Sequence, residues 1–158
     1  MTKSSVSSAP DPAERAPFKF SARTRVGFSD TDAQGIVYYG RYMPYFDLAR
    51  VEYHRMLGLL GMDIGEPGAE FVLRAASVDY LAPAVFDDEI EVLVRVSKIG
   101  NTSATYEFCA LRSRDDHLLV RATQTLVLVD LEERKARTIP QEFRDAIGRY
   151  EGADVSSA

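Results

Sequence analysis

Several features that support particular functions are scarce in this chain of 158 residues. It has one cysteine, Cys109, so it can form no intramolecular disulfide and no zinc site built from cysteine pairs. A reducing compartment is therefore expected. No segment approaches the roughly 18 consecutive apolar residues of a membrane-spanning helix, and the N-terminus lacks the apolar run of a secretion signal. These absences predict a cytoplasmic protein without a membrane span.

Positive charge is also in deficit, because the formal net charge is −5. Proteins that bind nucleic acid non-specifically usually carry a basic face, so no nucleic-acid partner is expected. Hydrophobic residues make up 46% of the chain, which is enough for a core. Residues 1–16 and 151–158 are small or polar without apolar periodicity and are predicted to be disordered tails. One domain over residues 17–150 remains.

Hydrophobic periodicity predicts the elements of that domain. Apolar residues at even positions between Phe18 and Phe28 indicate a strand. A helical stripe follows from Tyr42 to Leu60, with its start close to Pro44 and its end marked by Gly58 and Gly61. Further elements are predicted as strands at 70–81, 88–99, 104–110 and 117–130 and a short helix at 140–150. The short connections favour an antiparallel meander of four strands, and therefore an α+β fold with the long helix on one face of the sheet.

Few residues are available for catalysis. There is no G-x-S-x-G elbow and no phosphate-binding G-x-x-x-x-G-K. His54 and His117 are predicted on a helix flank and in a turn, which are typical places for surface histidines. The segment from Asp30 to Gly35 begins like a calcium loop, but Arg41 stands where that loop needs a bidentate glutamate. No metal is therefore expected.

Asp30 and Asp32, at the junction between the first strand and the long helix, have two interpretations. Aspartates often form Asx-type turns and cap helices for local reasons. Two of them exceed what one cap needs, however, and a helix N-terminus offers free N–H groups and a partial positive charge. A carboxylate there can attack or activate water while an N–H group holds a developing oxyanion. A thioester suits so sparse a site, because a thiol with a pKa near 8.5 leaves without strong acid assistance.

The segment Phe28–Tyr42, with the sequence FSDTDAQGIVYYGRY, closely resembles the signature of the 4-hydroxybenzoyl-CoA thioesterase family. That family includes the acyl-CoA thioesterases encoded beside the Tol-Pal system in bacteria. The resemblance implies a hotdog fold, in which a curved antiparallel sheet wraps one long central helix. It also implies that Asp32 is the catalytic carboxylate and that the backbone N–H of Tyr39 is the oxyanion donor.

The resemblance further implies an acyl-CoA substrate, and no cofactor is expected. Gly35, Val37 and Tyr38 are expected to contact the substrate, and Tyr38 is the aromatic residue best placed to line an acyl pocket, since it precedes the apolar stripe. The resemblance also implies homodimers or homotetramers with active sites at subunit interfaces, and the valine-rich strand 88–99 or a neighbour is expected to pair across the two-fold axis. The family's basic run for CoA phosphates, in the turn between the second and third meander strands, has no counterpart in Ile99–Ser103.

Two alternatives remain beside this hypothesis. Glu52 lies at the edge of the apolar stripe, where some hotdog enzymes of other families place a catalytic acid, but a surface pair with Arg55 is favoured. The whole domain can also be a non-catalytic hotdog module that binds acyl-CoA. A hotdog dehydratase is disfavoured, because the junction loop has no histidine.

Overall fold

The computed structural model describes residues 15–60 and 68–157. The long helix α1 spans Tyr42–Met56, and a second helix, α2, spans Gln141–Glu151. The strands are β1 (Phe20–Arg25), β2 (Ala69–Tyr80), β3 (Glu89–Ile99), β4 (Ser103–Arg112), β5 (His117–Asp130), β6 (Lys135–Ala136) and β7 (Ser156–Ser157). The elements predicted from periodicity are therefore confirmed, with bounds that differ by a few residues.

The strands form one sheet in the order β1-β3-β4-β5-β2, with β6 beside β5 and β7 beside β3. Every pairing is antiparallel except that of β3 with β7. The predicted meander is wrong at β2, which pairs with β5 instead of β3. Both sides of β3 are occupied by β1 and β4, so residues 81–88 must carry the chain across the sheet from β2 to β3.

The sheet curls around α1, which confirms the hotdog architecture. Phe46, Ala49 and Tyr53 of the helix are wholly buried against it, and the ring of Phe46 stacks on that of Phe108 with centroids 4.8 Å apart. Alternate residues of a strand face opposite sides of a sheet. The inward face of β3 accordingly supplies core residues at Ile90, Val92, Val94 and Val96.

The helix begins close to Pro44 and ends before Gly58, as predicted, whereas Gly61, the second predicted marker of its end, lies outside the described residues. Pro44 is the third residue of α1, where a missing N–H costs no hydrogen bond. The last helical residue is Met56, and Gly58 follows with a positive φ of 75°. The predicted apolar stripe is buried from Tyr42 to Tyr53, whereas Met56 and Leu60 are exposed.

Disordered tails were expected at both termini, over residues 1–16 and 151–158. Residues 1–14 and 158 lie outside the described residues, but Arg15 already forms an ion pair with the buried Glu91. At the other end the expected tail is contradicted up to residue 157. Glu151 is the wholly buried last residue of α2, and Ser156–Ser157 pair with β3. Hydrophobic periodicity could not predict this pairing, because residues 156 and 157 lie outside the apolar pattern of the domain.

None of the helices described in residues 15–60 and 68–157 has both the length and the apolar character required to cross a membrane.

Candidate active site

The loop between β1 and α1 folds back on itself as a small antiparallel hairpin. The N–H of Asp32 donates to the carbonyl of Ile36 at 2.9 Å, and the N–H of Gly35 donates to the carbonyl of Asp32 at 3.0 Å. Gly35 has a φ of 78°, a conformation that side chains with a Cβ rarely adopt. A further bond runs from the N–H of Tyr38 to the carbonyl of Asp30 at 2.9 Å. These bonds bring the aspartates beside the start of the helix.

The loop is anchored to the segment that connects β2 with β3. The N–H of Val37 donates to the carbonyl of Ala84 at 2.9 Å, and Ile36 forms an isolated antiparallel bridge with Val85. Val37 itself is buried in the core. Residues 36 and 37 thus hold the hairpin against the sheet.

Asp30 organises this loop. Its Oδ2 atom accepts hydrogen bonds from the Gly27 N–H at 2.8 Å and from the Tyr45 hydroxyl at 2.9 Å. Arg41 lies 3.9 Å from its Oδ1 atom. Burial, followed by the bond to Asp30, raises the pKa of Tyr45, so the phenol remains a donor. The Asp30 carboxylate therefore links β1, the loop and α1.

Asp32 has fewer partners. Its Oδ1 atom accepts the Gln34 N–H at 2.8 Å, which is the Asx-type bond considered from the sequence. No other hydrogen bond or ion pair of this carboxylate occurs within the described residues, and the side chain is partly exposed. One oxygen is thus held in place while the other stays accessible. Neither aspartate caps α1 directly, since Arg41 occupies that position.

Tyr39 is the first residue of a 3-10 turn, Tyr39–Arg41, that runs directly into α1. The hydrogen bonds of this turn are donated by Arg41, to the Tyr38 carbonyl, and by Tyr42, to the Tyr39 carbonyl. The N–H groups of Tyr39 and Gly40 come before both donors and so make no bond within the turn. They are available to an oxyanion at the positive end of the helix.

Tyr80 also belongs to this site, although no sequence pattern pointed to it. Its hydroxyl donates to the carbonyl of Tyr39 at 3.0 Å, and its ring makes edge contacts with those of Tyr39 and Tyr42. Burial raises the pKa of Tyr42 to about 12. No local pattern relates a residue at the end of β2 to one at the start of α1, so only the folded chain shows this contact.

The residues expected to contact substrate occupy different environments. Tyr38 is exposed, and its ring lies 4.3 Å from that of Tyr39. A Cβ on Gly40 would approach the Tyr38 ring to 2.9 Å, so this glycine permits the ring to lie across the turn. Gly35 makes the hairpin reversal, and Val37 packs inward. Tyr38 is the one of the three whose side chain borders open surface.

The structure also shows the environments of Glu52 and His54, two other residues considered for catalysis. Glu52 forms a surface ion pair with Arg55, as favoured. The interpretation of His54 as an ordinary surface histidine is wrong, because His54 is only partly exposed and bonds to the Tyr106 hydroxyl at 2.6 Å. Across residues 15–60 and 68–157, no group of three His, Cys, Asp or Glu side chains converges to hold a metal ion.

The chain is similar in sequence to known thioesterases. The family model described as the thioesterase-like superfamily matches residues 26–147. The acyl-CoA thioesterase YbgC of Haemophilus influenzae is 34% identical over 128 residues, which cover 80% of this chain and 93% of that protein.

Solved structures agree with the sequence relatives. A hypothetical protein from Aquifex aeolicus is 30% identical with a TM-score of 0.74, covering 82% of this chain and 99% of its own. The 1,4-dihydroxy-2-naphthoyl-CoA thioesterase from Synechocystis is 26% identical with a TM-score of 0.74, covering 81% of this chain and 94% of its own.

Proposed function

The chain belongs to the thioesterase-like superfamily, and from that membership we propose that it hydrolyses the thioester of an acyl-CoA to a free acid and CoA. The observation that carries the proposal is the arrangement of Asp32 and Tyr39. A carboxylate with one accessible oxygen lies on the same hydrogen-bonded hairpin as a helix N-terminus with free N–H groups.

In the proposed reaction, Asp32 is the nucleophile or the general base. Its bond from the Gln34 N–H fixes the carboxylate, while the other oxygen attacks the thioester carbonyl or takes a proton from the attacking water. The Tyr39 N–H stabilises the negative charge that develops on the carbonyl oxygen. The CoA thiolate then leaves, which needs little acid assistance because thiol pKa values lie near 8.5. If Asp32 is the nucleophile, this step leaves an acyl anhydride on its carboxylate, and water hydrolyses that anhydride to the free acid and restores Asp32.

The proposed acyl group is small, either short-chain or aromatic. Tyr38, Tyr39 and Tyr80 present exposed rings around the turn, and such surfaces suit a compact apolar acyl group. The relative from Synechocystis is named for an aromatic acyl-CoA, which supports this class. An acyl-CoA-binding module without catalysis is the alternative, and the accessible oxygen of Asp32 favours the enzyme.

The test measures thiol release from short-chain, branched and aromatic acyl-CoAs by wild-type protein and by Asp32→Asn. The variant keeps the shape of the side chain and removes its charge. We expect turnover to fall by at least about a hundredfold, as is typical when a positioned acid–base group is lost. Wild-type protein that releases no thiol from any substrate would instead support the binding module.

Two control variants make this result specific. Asp47→Asn changes an exposed aspartate of α1 that pairs with Arg50, and it should leave turnover near the wild-type rate. Asp30→Asn should cost far less activity than Asp32→Asn, with any loss tracking a lower unfolding temperature, because Asp30 bonds to Gly27 and Tyr45. Unchanged turnover in Asp32→Asn would remove Asp32 from the mechanism.

A further inference from the structure

Four arginines converge at the end of the sheet where the candidate site lies. Arg23 and Arg25 of β1, Arg112 at the end of β4 and Arg114 in the following turn line a cleft of about 380 Å³. Arginine is the side chain best suited to bind phosphate through paired N–H donors.

All four arginines make ion pairs, and that of Arg112 with Asp115 is held by two hydrogen bonds at 2.8 and 2.9 Å. The other three have more exposed side chains. Arg23 and Arg25 share Glu89, at 3.1 and 3.4 Å, and Arg114 lies 3.4 Å from Asp88. The three arginine side chains are more than half exposed, at 63%, 56% and 66%. Exposed ion pairs contribute roughly 0–1 kcal/mol, so the pairs with the partly exposed Glu89 do not commit Arg23 and Arg25 to that partner. Asp88, the partner of Arg114, is buried, but the guanidinium itself lies at the surface.

The remaining lining groups complete a polar recess. The carboxylates of Asp87, Asp88 and Glu89 also line the cleft, and Asp115 pairs with Arg112 at 2.8 Å, so the cleft offers guanidinium donors without a net positive charge. Asp88 is buried and accepts the Val85 N–H, which makes it part of the wall. The hydroxyl of Ser113 lines the cleft too and is buried with no hydrogen-bond partner in the described part of the chain. It is a donor that an anionic ligand can use.

An exposed aromatic pair lies beside this cleft. The rings of Phe28 and Phe86 are 5.5 Å apart, and the two residues are 81% and 54% exposed. Val26 exchanges backbone hydrogen bonds with Asp87 and Asp88, at 3.0 and 2.9 Å, and so brings the chain segments of both rings to the cleft wall. Exposed aromatic rings bind nucleobases by stacking, whatever the base.

On the premise of acyl-CoA hydrolysis, we propose that this cleft binds the phosphates of CoA and that the Phe28–Phe86 pair receives its adenine. Gly27 joins the cleft segment to the candidate site, since its N–H donates to Asp30 only two residues before Asp32. The extended pantetheine arm of CoA connects the phosphates with the thioester. The turn Gly100–Ser103, at the other end of β3, has no lysine or arginine of its own, and the nearby Arg144 already donates to the carbonyls of Gly100 and Asn101.

The first experiment measures binding of free CoA by calorimetry, which does not depend on catalysis. The double variant Arg25→Gln/Arg114→Gln removes two exposed cations, and Phe28→Ala removes one ring. Each is expected to weaken CoA binding by about tenfold or more, because charge-assisted hydrogen bonds and base stacking contribute on that scale. Arg134→Gln, in the β5–β6 turn at the far end of the sheet, is the matched control and should bind CoA like wild type.

The second experiment compares kcat/KM for one acyl group carried either by CoA or by N-acetylcysteamine, which lacks phosphates and adenine. The double variant should lower the ratio of the CoA value to the N-acetylcysteamine value by about tenfold. Circular dichroism verifies that each variant is folded. Wild-type affinity for CoA in both cleft variants, or no binding of CoA by wild-type protein, overturns the proposal. Arginine-dependent CoA binding without thiol release would support the cleft and reject the hydrolase.

Discussion

Asp30 and Asp32 are two residues apart and have the same functional group, yet their environments differ. Asp30 accepts from Gly27 and Tyr45, whereas the Asp32 carboxylate accepts one backbone N–H. A carboxylate that is satisfied by its own fold has little capacity left for a reacting group. A carboxylate fixed by one bond has both a defined position and a free oxygen, which is what general-base or nucleophilic catalysis requires.

The oxyanion donor can be tested at Tyr39 without destroying the turn. Tyr38 has φ −61° and ψ 134°, the extended conformation that a residue before proline prefers. Proline is also well tolerated at the first position of a helix. Tyr39→Pro should therefore remove the N–H while keeping the turn, and lower kcat by about a hundred- to a thousandfold. The kcat of each protein is measured from the rate of thiol release.

Tyr39→Phe is the matched control, because it keeps the backbone donor and removes only the hydroxyl. Its rate should stay within a few-fold of wild type. The proline variant is assessed only after circular dichroism and light scattering match those of wild type. A folded Tyr39→Pro protein with normal turnover would place the donor elsewhere, and inactivity of Tyr39→Phe would identify the phenol as the working group.

At the scale of elements, α1 is joined to the sheet by a buried polar contact as well as by apolar packing. His54 of the helix bonds to the Tyr106 hydroxyl of β4, with the rings of Phe71 and Phe143 nearby. Burial, followed by the positive charge of Arg50, lowers the pKa of His54 to about 4. The folded protein therefore keeps this imidazole neutral, whereas the unfolded chain protonates it near pH 6.5.

Stability should consequently fall as the pH is lowered from about 6.5 to about 4. Within that window the unfolded state binds a proton that the folded state excludes, and the full difference corresponds to roughly 3 kcal/mol. His54→Gln keeps a polar partner for Tyr106 without a titrating group, so its free energy of unfolding should depend less on pH there. Urea titrations at pH 7.5, 6.5, 5.5 and 4.5 measure both proteins.

The difference between the two proteins is the decisive quantity, because carboxylates that titrate in both proteins largely cancel. Parallel curves for wild type and His54→Gln across this range would show that His54 is not held neutral by the fold. Curves that converge toward pH 4 would agree with a buried neutral imidazole.

At the scale of the whole molecule, β2 is the long unpaired edge of the sheet. It has twelve residues, it pairs on one side only among residues 15–60 and 68–157, and it exposes Val72, Leu73 and Tyr80. Strand β3 was expected to pair between subunits, but it is enclosed by β1 and β4, so this expectation is wrong for β3. The alternative, that a neighbouring strand makes the pairing, is left. An exposed apolar edge favours pairing with another chain.

We therefore expect a homodimer formed through β2, with a mass twice the 17.6 kDa of one chain. Tyr80, at the end of β2, contacts Tyr39, so this interface adjoins the candidate site. The double variant Val72→Lys/Leu73→Lys places charges on both faces of the edge and should yield monomers with reduced turnover. Light scattering at micromolar concentration measures the mass.

Leu131→Lys, which changes an exposed leucine outside β2, serves as the control and should retain the wild-type mass. A wild-type monomer with full activity would contradict both the dimer and the shared site. A dimer that persists in the lysine variant would assign the interface to another surface.

The sequence by itself determined the elements and the reactive segment. The alternation of Ile90, Val92, Val94 and Val96 and the helical stripe from Tyr42 to Tyr53 express which side of each element is buried. Such periodicity is local, and so are the turn residues around Asp32. The family resemblance was carried by the same contiguous run, which is why Asp32 and Tyr39 could be proposed as site residues without a structure.

The tertiary structure decided everything that depends on distant pairs. It made β2 rather than β3 the free edge, joined Tyr80 to Tyr39, and buried His54 against Tyr106. It also gave Asp30 and Asp32 different hydrogen-bond partners, because Tyr45 lies one turn into the helix and donates to Asp30. The order of strands in a sheet and the contacts between distant side chains depend on how the connections cross between elements that are far apart in sequence. Hydrophobic periodicity is local and does not indicate which of these elements become neighbours.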